Sequence, residues 1–268
     1  VQESLELKRH LHEELISGMK PDLHYVVVGG GATGVEVAAE ITSYLKQLRL
    51  SHGKPQKRYQ VILVEAAPRI LPNMPESYAA RVAKRLNSIG VKIYVSTAVK
   101  AETADKLQLP EGDISTRTVI WTAGVANNPL LQAQGKLFNF AKNGRVEVDG
   151  SMQGAPNMYV IGDGAATIYS GMAQTAIYDA DFVTDNLIRE LNDQPLRKYA
   201  PAPPISAIPV GGKWSAVLWN NRQIFGYAGW ILRRLADLKI FLKLFPPGLA
   251  IRCWRYGGKR QESCEICR

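Results

Sequence analysis

A glycine-rich turn between an apolar run and a helical pattern limits what this chain can fold into. The stretch VVVGGGATGVE carries G-x-G-x-x-G as Gly29, Gly31 and Gly34. The apolar run before it predicts a strand buried on both faces, and apolar residues at helical spacing over 32–50 predict a helix after it. That order is typical of a dinucleotide-binding unit, in which the helix N-terminus faces the pyrophosphate.

The three glycines have separate steric tasks in such a unit. Gly29 is expected to make the tight turn out of the strand, Gly31 to let backbone approach a pyrophosphate, and Gly34 to let helix pack on strand. Thr33 joins them as a cofactor-binding candidate. A chance cluster of glycines is the alternative, and the strand and helix on either side argue against it.

The second marker is the acid at the end of the next apolar run, VILVE. The Glu65 carboxylate can accept hydrogen bonds from both ribose hydroxyls and would repel a 2′-phosphate, which favours NADH over NADPH. Arg69 lies close in sequence and could tolerate a phosphate, so NADPH stays open. A Glu65 that only caps a turn is the other interpretation.

Apolar strands and helical segments alternate up to residue 121, which predicts an α/β fold of the βαβαβ, doubly wound kind. Later, GRVEVDGSMQ alternates and predicts an exposed strand, while APNMYVIGDGA predicts a strand that delivers Asp163 at its carboxyl end. A helix is expected from about Gly171 to Leu191. This geometry suits hydrogen bonds to a polyol, with helix N–H groups directed at an electron-rich ring. A Pro-rich connector, a hairpin over 210–227 and an amphipathic helix follow.

Five segments together resemble the type II NADH dehydrogenases, single-chain NADH:quinone oxidoreductases among the two-dinucleotide flavoproteins. They are VVVGGGATGVEVAAEI, VEAAPRILPNMP, VIWTAGVANNPLL, YVIGDGAA and AQTAIYDA. The resemblance implies an α/β fold with a Rossmann-like NADH-binding domain and the C-terminal part of a FAD-binding domain. Because the glycine loop resembles the family's NADH loop and not its earlier FAD loop, the N-terminal FAD-binding half is expected to be missing, as in a C-terminal fragment.

On this interpretation the chain has four parts. They are a residual FAD-domain helix and linker (1–22), the NADH-binding domain (23–124), a returning FAD-binding segment (125–200), and a C-terminal hairpin with a membrane-associating region (201–268).

The resemblance also assigns cofactor-binding roles. Gly162 and Asp163 match the site of the flavin ribityl chain. Ala123 and Gly124 match the loop where the NADH domain returns to the FAD domain. Ala173 matches the start of the helix that faces the flavin.

Three residues are catalytic candidates by the same resemblance. Glu36 matches a glutamate near the nicotinamide and flavin, although a helix-dipole role is the alternative. Gln174 matches a glutamine of the quinone pocket. Tyr178 stands where the family often repeats that glutamine, one helical turn on, so both can face one pocket. No metal ligands are assigned.

The implied reaction passes a hydride from NADH to FAD and then two electrons to a membrane quinone. Two alternatives stay open. One is another NAD(P)H-dependent flavoprotein reductase of the same superfamily, and the other is a truncated nucleotide-binding module without turnover.

Charge is concentrated near the C-terminus of the chain, which carries a net +9. From Trp230 onward there are nine Lys and Arg against three acids, beside an apolar stripe at helical spacing. Residues 229–268 are therefore predicted to lie on an anionic membrane surface, peripherally and on the cytoplasmic face. Packing on the protein's own core is the alternative. A nucleic-acid reader motif is missing, so no nucleic acid is expected; a homodimer is possible.

All three cysteines lie in the last sixteen positions, so disulfides are not expected to stabilise the body of the fold, which favours an intracellular setting. Cys264 and Cys267 form a C-x-x-C pair that is too small a ligand set for a zinc site. The four histidines suggest no ligand cluster.

Overall fold

The structure, a computed structural model, describes residues 2–16, 24–53, 59–124 and 128–256. It forms two compact units, one of Val1–Gly124 with Ser206–Arg268 and one of Val125–Ile205. The first is called unit 1 and the second unit 2. The four-part division expected from the sequence stays a prediction. Cys264 and Cys267 lie outside the described residues.

Unit 1 is built around a parallel sheet of four strands in the order β3-β2-β1-β7. These strands are β1 (His24–Val28), β2 (Gln60–Val64), β3 (Val91–Tyr94) and β7 (Thr118–Trp121). Successive side chains of β1 enter different cores: Tyr25 and Val27 join one cluster, and Val26 and Val28 join another. Because both faces of the strand are buried, it is apolar at nearly every position.

Three helices contribute to the larger of these clusters. They are α1 (Gln2–Ile16), α2 (Ala32–Ser51) and α3 (Glu76–Ser88). The other face of the sheet packs on a small antiparallel sheet through Leu107 and Leu109. Its strands are β4 (Ala101–Glu102), β5 (Lys106–Leu109) and β6 (Gly112–Ser115). The glycine turn therefore leaves β1 from a sheet that is covered on both sides.

The C-terminal part of unit 1 is a three-stranded antiparallel sheet followed by two helices. The elements are β10 (Ser206–Pro209), β11 (Ser215–Trp219), β12 (Arg222–Gly226), α6 (Tyr227–Leu244) and α7 (Pro247–Tyr256). The sequence predicted the hairpin and α6 but not α7, because a proline pair followed by glycine, as at 246–248, favours the end of a helix. Pro247 is instead the first residue of α7, where proline is well tolerated.

Unit 2 consists of short elements around one long helix. They are α4 (Pro129–Ala133), β8 (Gln153–Ala155), β9 (Met158–Tyr159), a 3-10 turn (Gly162–Gly164) and α5 (Ala173–Leu191). The exposed strand expected from GRVEVDGSMQ is wrong for most of its length. Val146 forms only isolated bridges, and the Asp149 carboxylate accepts the N–H groups of Ser151 and Gln153 in a turn.

Candidate functional site

The glycine turn of unit 1 joins β1 to α2 with almost no spare room. A Cβ atom on Gly34 would lie 1.8 Å from the carbonyl oxygen of Gly29, and one on Gly29 would lie 2.8 Å from the Ala123 nitrogen. A Cβ on Gly31 would meet nothing within 4 Å. The turn is thus closed towards the protein and open at Gly31, where the start of α2 has no side-chain cap. Uncapped N–H groups beside open space fit a pyrophosphate.

The Glu65 carboxylate lies against this turn. One oxygen accepts the N–H of Gly30 at 2.5 Å, and the other accepts the N–H of Ala67 at 2.7 Å. Each carboxylate oxygen has a second lone pair, so Glu65 is fixed in place and can still accept ribose hydroxyls. The ribose interpretation and the turn-cap interpretation are therefore compatible.

Gly30 is a position that the motif did not single out. A Cβ there would lie 2.8 Å from Glu65 Oε2, so the glycine is needed for the carboxylate to reach the backbone. A third consecutive glycine was the available sequence signal.

Arg69 is held by the backbone of its own loop. Its guanidinium donates to the carbonyl oxygens of Leu71 at 2.9 Å and Pro72 at 2.7 Å. These two bonds hold the guanidinium against its own loop. Arg69 is therefore less available as a phosphate ligand than its position in the sequence indicated.

Glu36, in the second turn of α2, faces the C-terminal helix α6. Its carboxylate lies 3.8 Å from the Arg233 guanidinium, which also lies 3.6 Å from Asp237. Burial raises the pKa of Glu36, Arg233 opposes that rise, and Glu40 and Asp237 add to it. Glu36 is thus a partly buried acid next to a single cation. No local pattern could indicate Arg233, because 197 positions separate the two residues.

Two further candidates lie around the same turn. Thr33 is exposed in the first turn of α2. Ala123 and Gly124 follow β7, and the backbone of Ala123 packs against Gly29. In unit 1 the tertiary structure therefore brings the candidates from β1, β2 and β7 to one edge of the sheet.

In unit 2, the 3-10 turn that follows β9 presents Asp163. Asp163 is exposed and lines a cavity of about 600 Å³ with Asn128, Arg145 and Gly164. Apolar residues complete the wall, namely Leu131, Phe138, Met158, Val160 and Ile161. A carboxylate at the rim of a mostly apolar cavity fits a polyol attached to a flat ring.

Ala173 is the first residue of α5, and this end of the helix also has no side-chain cap. In the same turn the hydroxyl of Thr175 is buried and has no hydrogen-bond partner among the described residues. Free donors at a helix N-terminus fit the electron-rich edge of a flavin ring.

Gln174 and Tyr178 lie one turn apart on α5, as their spacing predicted. Their polar groups already have partners within unit 2. Gln174 Oε1 accepts the N–H of Ile205 at 2.8 Å, and the Tyr178 hydroxyl donates to the carbonyl of Ala200 at 2.8 Å.

Asp179 was missed by the sequence interpretation and is completely buried. It accepts the N–H of Gly162 at 3.0 Å and the hydroxyl of Tyr199 at 2.5 Å. Burial, together with the bond to Asp179, raises the pKa of the Tyr199 hydroxyl well above its usual range. Asp179 therefore ties the turn that carries Asp163 to α5. Asp179 shares the buried face of α5 with Thr175, Val183 and Asn186, so no apolar pattern marked it in the sequence.

The described His, Cys, Asp and Glu side chains include no group of three or more that suits a metal ion. His12 and His52 do meet, with their Nε2 atoms 3.3 Å apart.

Residues 3–180 match the family model of the pyridine nucleotide-disulphide oxidoreductases. The chain belongs to that family. A type II NADH:quinone oxidoreductase of Staphylococcus epidermidis is 27% identical over 273 residues, which cover 93% of this chain and 66% of the relative. The chain thus spans just under two thirds of that relative's length.

Solved structures agree with this family fold. NDH2 from Plasmodium falciparum in complex with NADH superposes with a TM-score of 0.73 over 95% of this chain and 70% of that one, at 14% identity. The water-forming NADH oxidase of Lactobacillus brevis bound to NADH gives 0.55 over 76% of this chain and 44% of that one, at 21% identity. At these identities the likeness concerns the fold. The expected α/β class with a parallel sheet is confirmed.

Within the described ranges, every helix falls short of the length or the apolar character that a bilayer crossing requires.

Proposed function

We propose that this chain carries the NADH-binding and part of the flavin-binding machinery of a flavoprotein that transfers electrons from NADH to a membrane quinone. The observation that carries the proposal is the glycine turn at 29–34, closed around Glu65 and open at Gly31. The curated relatives named as type II NADH:quinone oxidoreductases support quinone as the acceptor.

NADH would bind across the turn of unit 1. The uncapped N–H groups at the start of α2 would hold the pyrophosphate, with Thr33 beside them. Glu65, fixed by Gly30 and Ala67, would accept the ribose hydroxyls, and the same charge would oppose a 2′-phosphate. Since Arg69 is bonded to its own loop, NADH is the favoured cofactor.

FAD, when bound, would supply the ring that accepts a hydride from NADH and releases electrons singly or in pairs. Asp163 would hold its ribityl chain, with Gly162 providing the turn. The first turn of α5, from Ala173, would direct N–H groups at the ring. The Ala123–Gly124 segment would line the nucleotide site beside Gly29.

In unit 1, Glu36 would serve proton transfer, and in unit 2, Gln174 and Tyr178 would bind the quinone. A raised pKa suits Glu36 to holding a proton at its carboxyl oxygen. The Gln174 amide and the Tyr178 hydroxyl can donate hydrogen bonds to quinone carbonyl oxygens.

The C-terminal helices would place the protein on an anionic membrane. The apolar stripe follows α6 to its C-cap: Ile231, Leu235, Leu242 and Phe245 are exposed, and Leu238 is partly buried. Exposed Lys239 and Arg252 add positive charge. Exposed apolar residues beside basic ones suit an interfacial helix, here expected on the cytoplasmic face.

A vesicle assay tests the membrane claim. Leu235→Ser with Leu242→Ser should abolish co-sedimentation with anionic vesicles, while Leu191→Ser, at a position that is 85% exposed in unit 2, should not change it. Equal sedimentation of all three proteins would refute the membrane surface.

The alternatives are tested by flavin and NADH measurements on the chain. The proposal expects a flavin spectrum after incubation with FAD, bleaching by NADH, and recovery on adding a short-chain quinone but not oxygen alone. Recovery with oxygen alone would favour an oxidase such as the L. brevis neighbour. NADH binding without any bleaching would favour a binding module. Light scattering of the same sample tests the predicted homodimer.

A further inference from the structure

Residues 195–205 of unit 2, here called the strap, run antiparallel to α5 and are tied to it by side chains along its whole length. Tyr178 and Gln174 bond the carbonyl of Ala200 and the N–H of Ile205 near the start of the helix. Farther along, Asn186 makes two bonds of 2.9 Å to the backbone of Arg197. Side chains spread over more than three turns of one helix thus bond to one segment.

The strap has little other structure to hold it down. Four of its eleven residues are proline, namely 195, 201, 203 and 204, so it lacks four backbone donors. No helix or strand is assigned within it, and most of its residues are exposed. Segments with few buried contacts and exposed hydrogen bonds open at low free energy. Lifting the strap would break these side-chain bonds and the backbone bond from Tyr199 to Gly150, but no sheet.

Tyr199 is the partly buried aromatic residue of the strap. It packs edge-on against Phe182, with centroids 5.2 Å apart, and its hydroxyl donates to the buried Asp179 at 2.5 Å. A hydrogen bond to a carboxylate is stronger than one between neutral groups. The Tyr199–Asp179 contact is therefore the main latch of the strap, and Asp179 connects it to Gly162 in the turn of Asp163.

We propose that the strap is a closure over the quinone-binding side of α5, which releases Gln174 and Tyr178 when the Tyr199–Asp179 latch opens. This rests on the proposed function, in which those two side chains meet the quinone. In the closed form, Gln174 Oε1 and the Tyr178 hydroxyl proton are committed to strap backbone. A quinone carbonyl that accepts a hydrogen bond from the Tyr178 hydroxyl must displace the Ala200 carbonyl as its acceptor.

Hydrogen exchange of the 268-residue chain tests the closure, with a water-soluble short-chain benzoquinone as the probe and no NADH present. The reporters are the amides of Arg197, Tyr199 and Ile205, each of which donates to an acceptor in unit 2. In the wild type, saturating quinone should speed their exchange. Tyr199→Phe keeps the ring and removes the latch hydroxyl, so these amides should exchange roughly tenfold faster without quinone.

Tyr199→Phe should also bind the quinone several-fold more tightly, because the closed form no longer competes. Arg197→Ala is a second loosening variant: its side chain is 63% exposed and loses an ion pair to Asp185, so the fold should be unaffected. Thr184→Ala is the control, since that hydroxyl bonds the Ala180 carbonyl within α5. It should change neither exchange nor affinity.

Two results would overturn the closure, and only the second would also refute the proposed quinone acceptor. Quinone that binds wild type and Tyr199→Phe equally, with unchanged amide exchange, would leave the proposed function standing and make the strap a fixed part of unit 2. Quinone that binds neither protein, although NADH and FAD still bind, would refute both the closure and the quinone acceptor.

Discussion

The turns at residues 29–34 and 162–164 both follow apolar strands and precede helices, but they are held in different ways. The first is fixed by steric contact, since Gly34 lets α2 touch the backbone of Gly29. The second is fixed by a buried charge, because Asp179 reaches from α5 to the N–H of Gly162. A steric contact leaves the turn no alternative conformation, whereas a polar contact can be exchanged for another. The comparison teaches that the second turn is the more adjustable of the two.

The largest expected effect is at the steric turn. In Gly34→Ala the added carbon would lie 1.8 Å from the Gly29 carbonyl, so α2 must leave β1 and unit 1 should lose about 3 kcal/mol or more of stability. Gly31→Ala is the matched control: it has space for the carbon and a permitted φ of −69°, so it should fold while binding NADH more weakly. Urea unfolding and NADH titration measure both. Equal stability of the two variants would mean that the turn is not sterically fixed.

The polar turn should respond less strongly and in a graded way. Asp179→Ala leaves the N–H of Gly162 and the hydroxyl of Tyr199 without their acceptor and should cost about 2–3 kcal/mol. Asp179→Asn keeps one acceptor and should recover part of that loss. Asp185→Ala, on the exposed side of the same helix, should cost only about 0.5 kcal/mol. Hydrogen exchange of the unit 2 amides at increasing denaturant checks this order, and an Asn variant no better than Ala would contradict it.

The next largest effect is expected at Glu65, whose carboxylate is bonded to the steric turn. Glu65→Ala removes the acceptor of the Gly30 and Ala67 N–H groups and the expected ribose contact, so NADH affinity should fall roughly tenfold or more. NADPH affinity should fall less, because the repulsion of the 2′-phosphate is removed as well. Arg69→Ala should leave the ratio of NADH to NADPH affinities unchanged. Calorimetry measures the affinities for both nucleotides. A changed ratio of NADH to NADPH affinity in Arg69→Ala would show that Arg69 binds the phosphate.

The smallest expected effect is the electrostatic coupling between Glu36 and Arg233. Burial raises the pKa of Glu36 and Arg233 lowers it, so Arg233→Met should move that pKa further upward. Because the folded-state pKa lies above the unfolded one, Glu36 favours folding at pH values below its unfolded pKa, and this contribution is lost as pH rises through the folded pKa. Carboxyl NMR titration measures the shift, with Arg234→Met as the control. A downward shift in Arg233→Met would contradict the assigned cause.

Local patterns predicted much of this molecule. The apolar runs before Gly29 and Glu65 predicted β1 and β2, and the helical spacing after Gly31 predicted α2 within a residue or two of its bounds. These predictions succeeded because parallel strands buried on both faces are apolar at nearly every position. Turns of this glycine pattern also have few alternative backbone conformations. The exposed strand over 144–153 failed, since alternation is also compatible with a turn held by Asp149.

By itself, the sequence determined the strand-turn-helix around Gly29, the family, and the pairing of Gln174 with Tyr178 on one helix face. Those features depend on residues a few positions apart, where backbone sterics and helical spacing act. Only the tertiary structure decided that Arg233 meets Glu36, that Asp179 holds Gly162, and that the strap occupies Gln174 and Tyr178. These contacts join distant positions, and their partners are selected by burial and the need to pair polar groups, which leave no periodic trace in the chain.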